Sequence, residues 1–412
     1  MSHTPRTILV VAPFMHRPGH YATYPVDLAR GFTANGARVT LVHPFPTAAE
    51  PGLTSDLETV CLQDGHASFG RIMTFLWPRL IRHPIRLCLA WLILHTRPGS
   101  FDLVYWTDLE PDNQQSSWPM GLAAWLGLYR HRTAFTEHYN FSWSRHRWQR
   151  LLRLDRVRLR HLELFVHSRQ LLDWIRLNMR WQNKGHYLPW GLWPDPASEE
   201  DRASCRAALD IPADARVLLV FGMQAIRRKN IDTLAEALRE LPLPAPLFVL
   251  FVGKRVGHEP HPFDEPALAT KANLHVRHEE AFVANERVKL YFAAADAVWA
   301  YYGDFQGASG VFAQAIAHAR LPICAAASES GELCRSHGIG LPTPTDDVAG
   351  VRTVIRRFLS MDRGEQARLE AATQGAAQVM SWTNITRGIL DIVFADPSGG
   401  SPDTPPDRPR RT

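Results

Sequence analysis

Two stretches of this sequence carry residue types suited to holding an anion. Gly307-Ala308-Ser309-Gly310 is a loop of small residues that feeds an apolar helical pattern, Val311, Phe312, Ala315, Ile316 and Ala319. Free backbone N–H groups at such a helix start, together with the helix dipole, favour phosphate. Arg227-Arg228-Lys229 stands just ahead of a second helical pattern, Asn230 to Glu240. Cations there oppose the dipole, so an anionic ligand accounts for them better than an exposed basic helix start does.

Two histidines stand where a general base would be useful. His20 follows Gly19 in the loop after the strand TILVVAP, at the carboxyl end of the strand, where parallel sheets bind ligands. His138 follows the strand RTAFTE, and Glu137 beside it could orient the ring. A neutral imidazole has a pKa suited to taking a proton near neutrality. With 19 histidines in the chain, position at a strand end is what singles these two out. The Gly19 loop lacks the GxGxxG spacing, so no dinucleotide fingerprint is present.

The elements that must position these groups alternate between strand and helix. Strands are expected at 7–13, 37–43, 101–107, 132–137, 164–167 and 186–189, with helices over 21–35 and 170–180. A polar, proline-containing stretch, 193–204, marks a domain boundary. Strands over 216–222, 247–253, 273–277, 297–302 and 322–325 then alternate with helices over 230–240, 285–294, 330–336 and 351–359. This is an α/β chain with two doubly wound parallel sheets. Residues 397–412 are too rich in proline and polar residues to bury a core.

Length and composition agree with that reading. A chain of 412 residues suggests two α/β domains. A net charge of +5 permits an anionic partner without demanding one. The five cysteines are widely spaced and contain no CxxC, which fits unpaired thiols in a reducing compartment. No signal peptide opens the sequence, and no apolar run reaches the ~20 residues of a membrane span. The segment 69–98 is apolar but carries Arg71, Arg79, Arg82 and Arg86 and is broken by Pro78 and Pro84. It suits either a membrane interface or helices packed on the first sheet. The stretch 143–160 interleaves arginine with tryptophan, and could be a solvated helix face or a lipid-headgroup contact. One such cluster on a modest net charge does not point to nucleic acid.

The order of landmarks resembles the GT-B glycosyltransferases, in particular the large group 1 retaining family that uses nucleotide-sugar donors. The similarity runs over roughly residues 7–395, through PGHYATYPVDLARGFTANGARVTLV, FTEHYN, FVHSRQ, YLPWGL, FGMQAIRRKNIDTL, FVLFVG, LYFAAADAVWAYY, ARLPICAA and MSWTNITRGILDIVF. It implies two Rossmann-like domains facing across a cleft, residues 1–192 for the acceptor and 193–378 for the donor. A final helix, 379–396, would return to the first domain, with Trp382 as its usual aromatic, ahead of a disordered tail over 397–412. Lys229 matches the family's diphosphate-binding lysine. The family's arginine, six residues earlier, is replaced by Met223, so Arg227 or Arg228 would substitute for it. The family's pair of glutamates is absent. Gly307 and Ala315 stand in their places, or Gln314 in the second place if one residue is inserted. Asp304 is the nearest carboxylate and could contact the donor sugar. His138 matches a histidine that contacts the sugar, and His20 resembles the base of inverting GT-B enzymes.

The resemblance implies a hexosyl-type glycosyltransferase moving sugar from a nucleotide-sugar donor to a lipid-linked or polysaccharide acceptor. A retaining reaction needs no dedicated base, since the leaving phosphate can take the acceptor proton. Lys229, Arg227, Arg228 and backbone N–H groups at Ser309-Gly310 would stabilise the departing diphosphate. No metal and no cofactor beyond the donor are expected, because Asp108, Glu110 and Asp112 make a poor Asp-x-Asp site. The expected location is cytoplasmic, with peripheral membrane contact through 69–98 and 143–160. A nucleotide-sugar epimerase and a non-catalytic binding protein of the same fold stay open beside this reading.

Overall fold

The structure is a computed structural model that describes residues 4–17, 19–46, 52–65, 84–108, 120, 123–124, 126–137, 162–178, 185–257, 259–302 and 309–395. His138, Asp304, Gly307, the segment 143–160 and the tail beyond 395 lie outside the described residues.

The first half alternates β1 (Thr7–Val11), α1 (His20–Ala34), β2 (Arg38–His43), β3 (Glu58–Cys61), α2 (Pro84–His95), β4 (Leu103–Trp106), β5 (Thr133–Glu137), β6 (Leu162–Val166), α3 (Arg169–Asn178) and β7 (Gly185–Tyr187). These strands form a parallel sheet in the order β3-β2-β1-β4-β5-β6-β7. The central strand β1 is paired on both sides, so Ile8, Leu9, Val10 and Val11 are fully buried. Burial on both faces is why it reads as an unbroken apolar run.

The second half follows with α4 (Glu199–Ala208), β8 (Arg216–Phe221), α5 (Ile231–Glu240), β9 (Leu247–Val252), β10 (Leu274–Glu279), α6 (Asn285–Ala294), β11 (Ala297–Trp299), α7 (Gly310–Ala317), β12 (Leu321–Cys324), α8 (Glu329–His337), β13 (Leu341–Pro342), α9 (Val348–Ser360) and α10 (Arg363–Val379). Its parallel sheet runs β10-β9-β8-β11-β12-β13, the doubly wound order in which the direction of winding reverses beside the first strand. The expected pair of Rossmann-like sheets is therefore present.

The last helix, α11 (Trp382–Val393), returns to the first half and packs along α1. Its fit depends on two glycines. A Cβ on Gly31 would come within 2.8 Å of the Thr386 side chain, and one on Gly191 within 2.4 Å of the Trp382 ring. Trp382 is 2% exposed, and burial of a side chain this size contributes about 3 kcal/mol. The outgoing and returning chains meet at this point. Leu192 N–H donates to Met380 O at 3.1 Å, and Trp382 N–H to Leu192 O at 2.9 Å.

Some elements differ from the sequence expectation. The stretch read as a polar boundary over 193–204 becomes helical from Glu199, because Ser198 and Asp201 form a capping box. Helix α10 had no strong apolar stripe to reveal it, being built mainly from alanine, glutamine and charged residues. Strand β3 is short and only partly buried, which left it with little pattern. Of the apolar segment 69–98, the part over 84–95 is α2, whose Ile85, Cys88, Leu89, Trp91 and Leu92 join the first core. Residues 69–83 of it lie outside the described residues. Among the described residues, no helix is long and apolar enough to cross a membrane.

Candidate functional site

The site is built where the carboxyl ends of β1 and β8 meet. On the first-domain side, Gly19 takes a left-handed backbone conformation (φ 77°) and opens α1, which makes His20 the first residue of the helix. Its carbonyl accepts from Ala22 N–H at 3.0 Å. The His20 ring lies 4.1 Å from the Tyr21 ring and 6.1 Å from that of Trp190. Burial lowers its pKa, and the positive charge of Arg228 in the second domain lowers it further. The Arg228 charge thus reaches His20 from the second domain, and both causes favour the neutral imidazole.

Behind His20 is an aromatic wall that the sequence did not single out. Trp190 packs 5.4 Å from Tyr24 and 5.0 Å from His167. His167 Nδ1–H donates to Leu188 O at 2.7 Å, which fixes the ring. Burial pushes its pKa down to about 4, against that hydrogen bond and assisted by the charge of His20. Phe14, Thr107 and Asp108 join His20, Tyr21 and Tyr24 around a narrow crevice. Glu137 ends β5, and its backbone pairs with Val166.

On the second-domain side, the turn after β8 is locked by backbone contacts. Gly222 (φ 88°) and Gly253 (φ 132°) follow adjacent strands, and a Cβ on Gly253 would lie 2.3 Å from Gly222 O. Only glycine permits that approach. Gln224 holds the turn from beneath, its side-chain amide donating to Val220 O at 2.8 Å and to Val252 O at 3.0 Å.

The structure separates the basic triplet. Lys229 is buried at 4% exposure, and its ammonium donates to Phe221 O at 2.6 Å. It also lies 5.2 Å from the centre of the Tyr302 ring. Trp299 anchors the backbone here, donating from Nε1 to Lys229 O at 2.7 Å. Arg228 stands 6.0 Å from the same Tyr302 ring and towards His20. Arg227 instead points to the rim, where its 86% exposed side chain pairs with Glu259 at 3.4 Å. The triplet is thus not a uniform basic helix start, and α5 begins only at Ile231.

Of the expected anion loop, Ser309 and Gly310 are among the described residues. Ser309 caps α7, its Oγ accepting from Phe312 N–H at 3.2 Å, and Gly310 is the first helical residue. A Cβ on Gly222 would come within 3.7 Å of Val311 and 4.0 Å of Lys229 Nζ, so the start of α7, the lysine and the β8 turn form one locus. Gln314 is exposed, whereas Ala315, one turn beyond Val311, is fully buried in the same core cluster that Val311 packs against. Of the two candidates, Gln314 is therefore the one with an accessible side chain.

Two further contacts join the domains. Glu329, at the start of α8, accepts from the backbone N–H of Arg169 at 2.9 Å. Trp193 Nε1–H donates to Asp27 Oδ1 at 2.8 Å. The Asp27 pKa is pushed up to about 6 by burial, against the Trp193 hydrogen bond and the charge of Arg30.

No protein-family model and no curated protein matches the sequence. Solved structures do match the fold. HepE of Anabaena, in complex with UDP, superposes with a TM-score of 0.65 at 16% identity, covering 94% of this chain and 98% of its own. A glycosyltransferase of Rickettsia africae gives 0.65 at 14%, covering 95% and 98%. Sucrose-phosphate synthase of Thermosynechococcus elongatus gives 0.61 at 16%, covering 94% and 98%. The likeness extends over both sheets and the returning helix, so the fold is GT-B.

Proposed function

We propose that the chain is a glycosyltransferase that binds a nucleotide-sugar between its two sheets and transfers the sugar to a lipid-linked or polysaccharide acceptor. The observation that carries this reading is the convergence of Lys229, the start of α7 at Ser309-Gly310, and Arg228 on one side of a boundary whose other side presents His20. Among the fold neighbours, HepE is described with UDP and with UDP-glucose.

In this reading the donor diphosphate lies against the N-terminus of α7. The backbone N–H groups there and the Lys229 ammonium take up negative charge as the leaving group departs. Phe221 O positions the ammonium, and an ammonium has two further protons to donate. Arg228 adds a second cation, and burial, helped by the Arg228 charge, favours a neutral His20 whose ring can accept a hydrogen bond or a proton from an acceptor hydroxyl. If the reaction is retaining, the leaving phosphate oxygen takes that proton and His20 only positions the acceptor. Gln314, accessible on α7, offers an amide to donor hydroxyls. No metal is needed in this scheme, because fixed cations and a helix terminus carry the charge.

A thermal-shift screen with UDP-, GDP-, ADP- and CMP-linked sugars, followed by transfer assays on lipid extracts with the donor that binds, tests the reading. A stabilising nucleotide and transfer of its sugar support it. No shift with any nucleotide would remove the donor site. A shift without transfer to any acceptor, and without epimerisation of the donor, would favour a non-catalytic binding protein, a reading the absent glutamate pair keeps in view.

A further inference from the structure

We propose that His261, Asp264 and His278 form a binding site for a divalent transition-metal ion of the zinc class, outside the cleft, which ties the turn Pro262–Asp264 to the edge strand β10. One ligand atom from each of the three residues lies within 4.8 Å of the others. Two imidazoles and a carboxylate are a ligand set that suits zinc and its neighbours better than calcium or magnesium, which prefer oxygen.

The three residues come from two places that the fold brings together. His261 caps the short 3-10 turn Pro262–Asp264, Asp264 ends it, and His278 sits near the end of β10. Phe251 of the neighbouring strand orients both rings. It is the register partner of His278 and stacks on it at 5.1 Å, and it meets His261 edge-on at 4.5 Å. The His278 ring also stands edge-on to that of His261, their centres 4.6 Å apart.

A second observation points to a ligand. His261 is 2% exposed, and its Nε2 is buried with no hydrogen-bond partner. Its Nδ1 accepts only a long 3.3 Å bond from Phe263 N–H. A buried ring nitrogen without a partner is costly, and a metal ion would satisfy it. If the ion takes Nε2, the proton moves to Nδ1 and only the long bond from Phe263 is given up. Asp264 and His278 approach one another at 3.7 Å and remain partly exposed, with side chains 59% and 27% accessible, so an ion can enter and a water can complete its coordination.

The test uses the full chain freed of metal by chelation and titrated with Co2+ and with Zn2+. The expected result is a single site with the intense visible absorption of low-coordinate Co2+, displaced by Zn2+, and a Zn2+-dependent rise in melting temperature. His278→Ala and Asp264→Asn remove the two exposed ligands, so the fold is kept. Each should weaken the site at least about 30-fold and abolish the thermal shift. Unchanged affinity in both variants would place the ion on other histidines and overturn the proposal, as would absence of any one-to-one binding. These readouts do not involve glycosyl transfer, so their failure leaves the proposed function standing.

Discussion

The ammonium of Lys229 donates to the carbonyl of Phe221 at 2.6 Å, across the turn that Gly222 makes at the end of β8. This contact fixes a cation at the floor of the proposed donor site before any ligand arrives. Arg227, two residues earlier, is at the rim and paired with Glu259.

The two cations should therefore behave differently on substitution. A charge-assisted hydrogen bond to phosphate is worth about 1.5–3 kcal/mol, so Lys229→Ala is expected to weaken the nucleotide identified by the screen roughly 10- to 100-fold. Arg227→Ala should change it less than about 2-fold, in line with exposed ion pairs. Calorimetric titration of both variants checks this. Equal losses would mean that the triplet acts as one diffuse basic patch.

His20 and Arg228 make a second, electrostatic prediction. Burial is the larger cause of the lowered His20 pKa, and Arg228 the smaller. Arg228→Gln removes a like charge, so the His20 pKa should rise towards its ordinary 6.5 without reaching it. An NMR titration of the His20 ring reads the shift directly. In a pH–rate profile, the acid limb should move the same way if His20 must be neutral for transfer. A ring resonance that titrates identically in the variant would show that the Arg228 charge does not reach His20.

Gln314 separates the two alignments left open by the sequence. As the exposed one of the two candidates on α7, it should contribute to donor binding in the proposed reading, and Gln314→Ala is expected to raise KM for the donor about 5- to 10-fold with little effect on folding. Ala315 is buried in the core, so Ala315→Gln should instead overpack it and destabilise the protein by about 1–3 kcal/mol or more. Unchanged donor KM in Gln314→Ala would withdraw the assignment.

Asp27 gives stability a pH dependence. Its folded pKa of about 6 is above the unfolded value of 3.8, so the folded state binds the proton more tightly. Its contribution is complete below about pH 3.8 and is lost as pH rises through 6. The full shift would correspond to about 3 kcal/mol, but the residue keeps part of its surface open, so about 1–2 kcal/mol is expected. Asp27→Asn can keep the Trp193 hydrogen bond while removing the titration. It should stabilise the protein near pH 7 and flatten stability between pH 4 and 6, as measured by denaturant unfolding.

The sequence determined the fold class and most of the elements. Buried parallel strands must be apolar on both faces, which made TILVV, RVLLVF and LFVLFV legible without a partner in view. Glycine turns and helix starts likewise marked Gly19-His20 and Ser309-Gly310, because backbone geometry is written locally. Tertiary structure decided which charges meet. Three adjacent basic residues could not reveal that Lys229 is buried against Phe221, that the Arg228 charge reaches His20, and that Arg227 turns to Glu259. Nor could spacing bring Glu329 to Arg169, or His261 to His278, because each pair is joined by elements distant in sequence. Local pattern reports what a residue's own strand or helix requires of it. The direction and burial of a side chain, and so the work its charge can do, are set by the neighbours that folding brings to it.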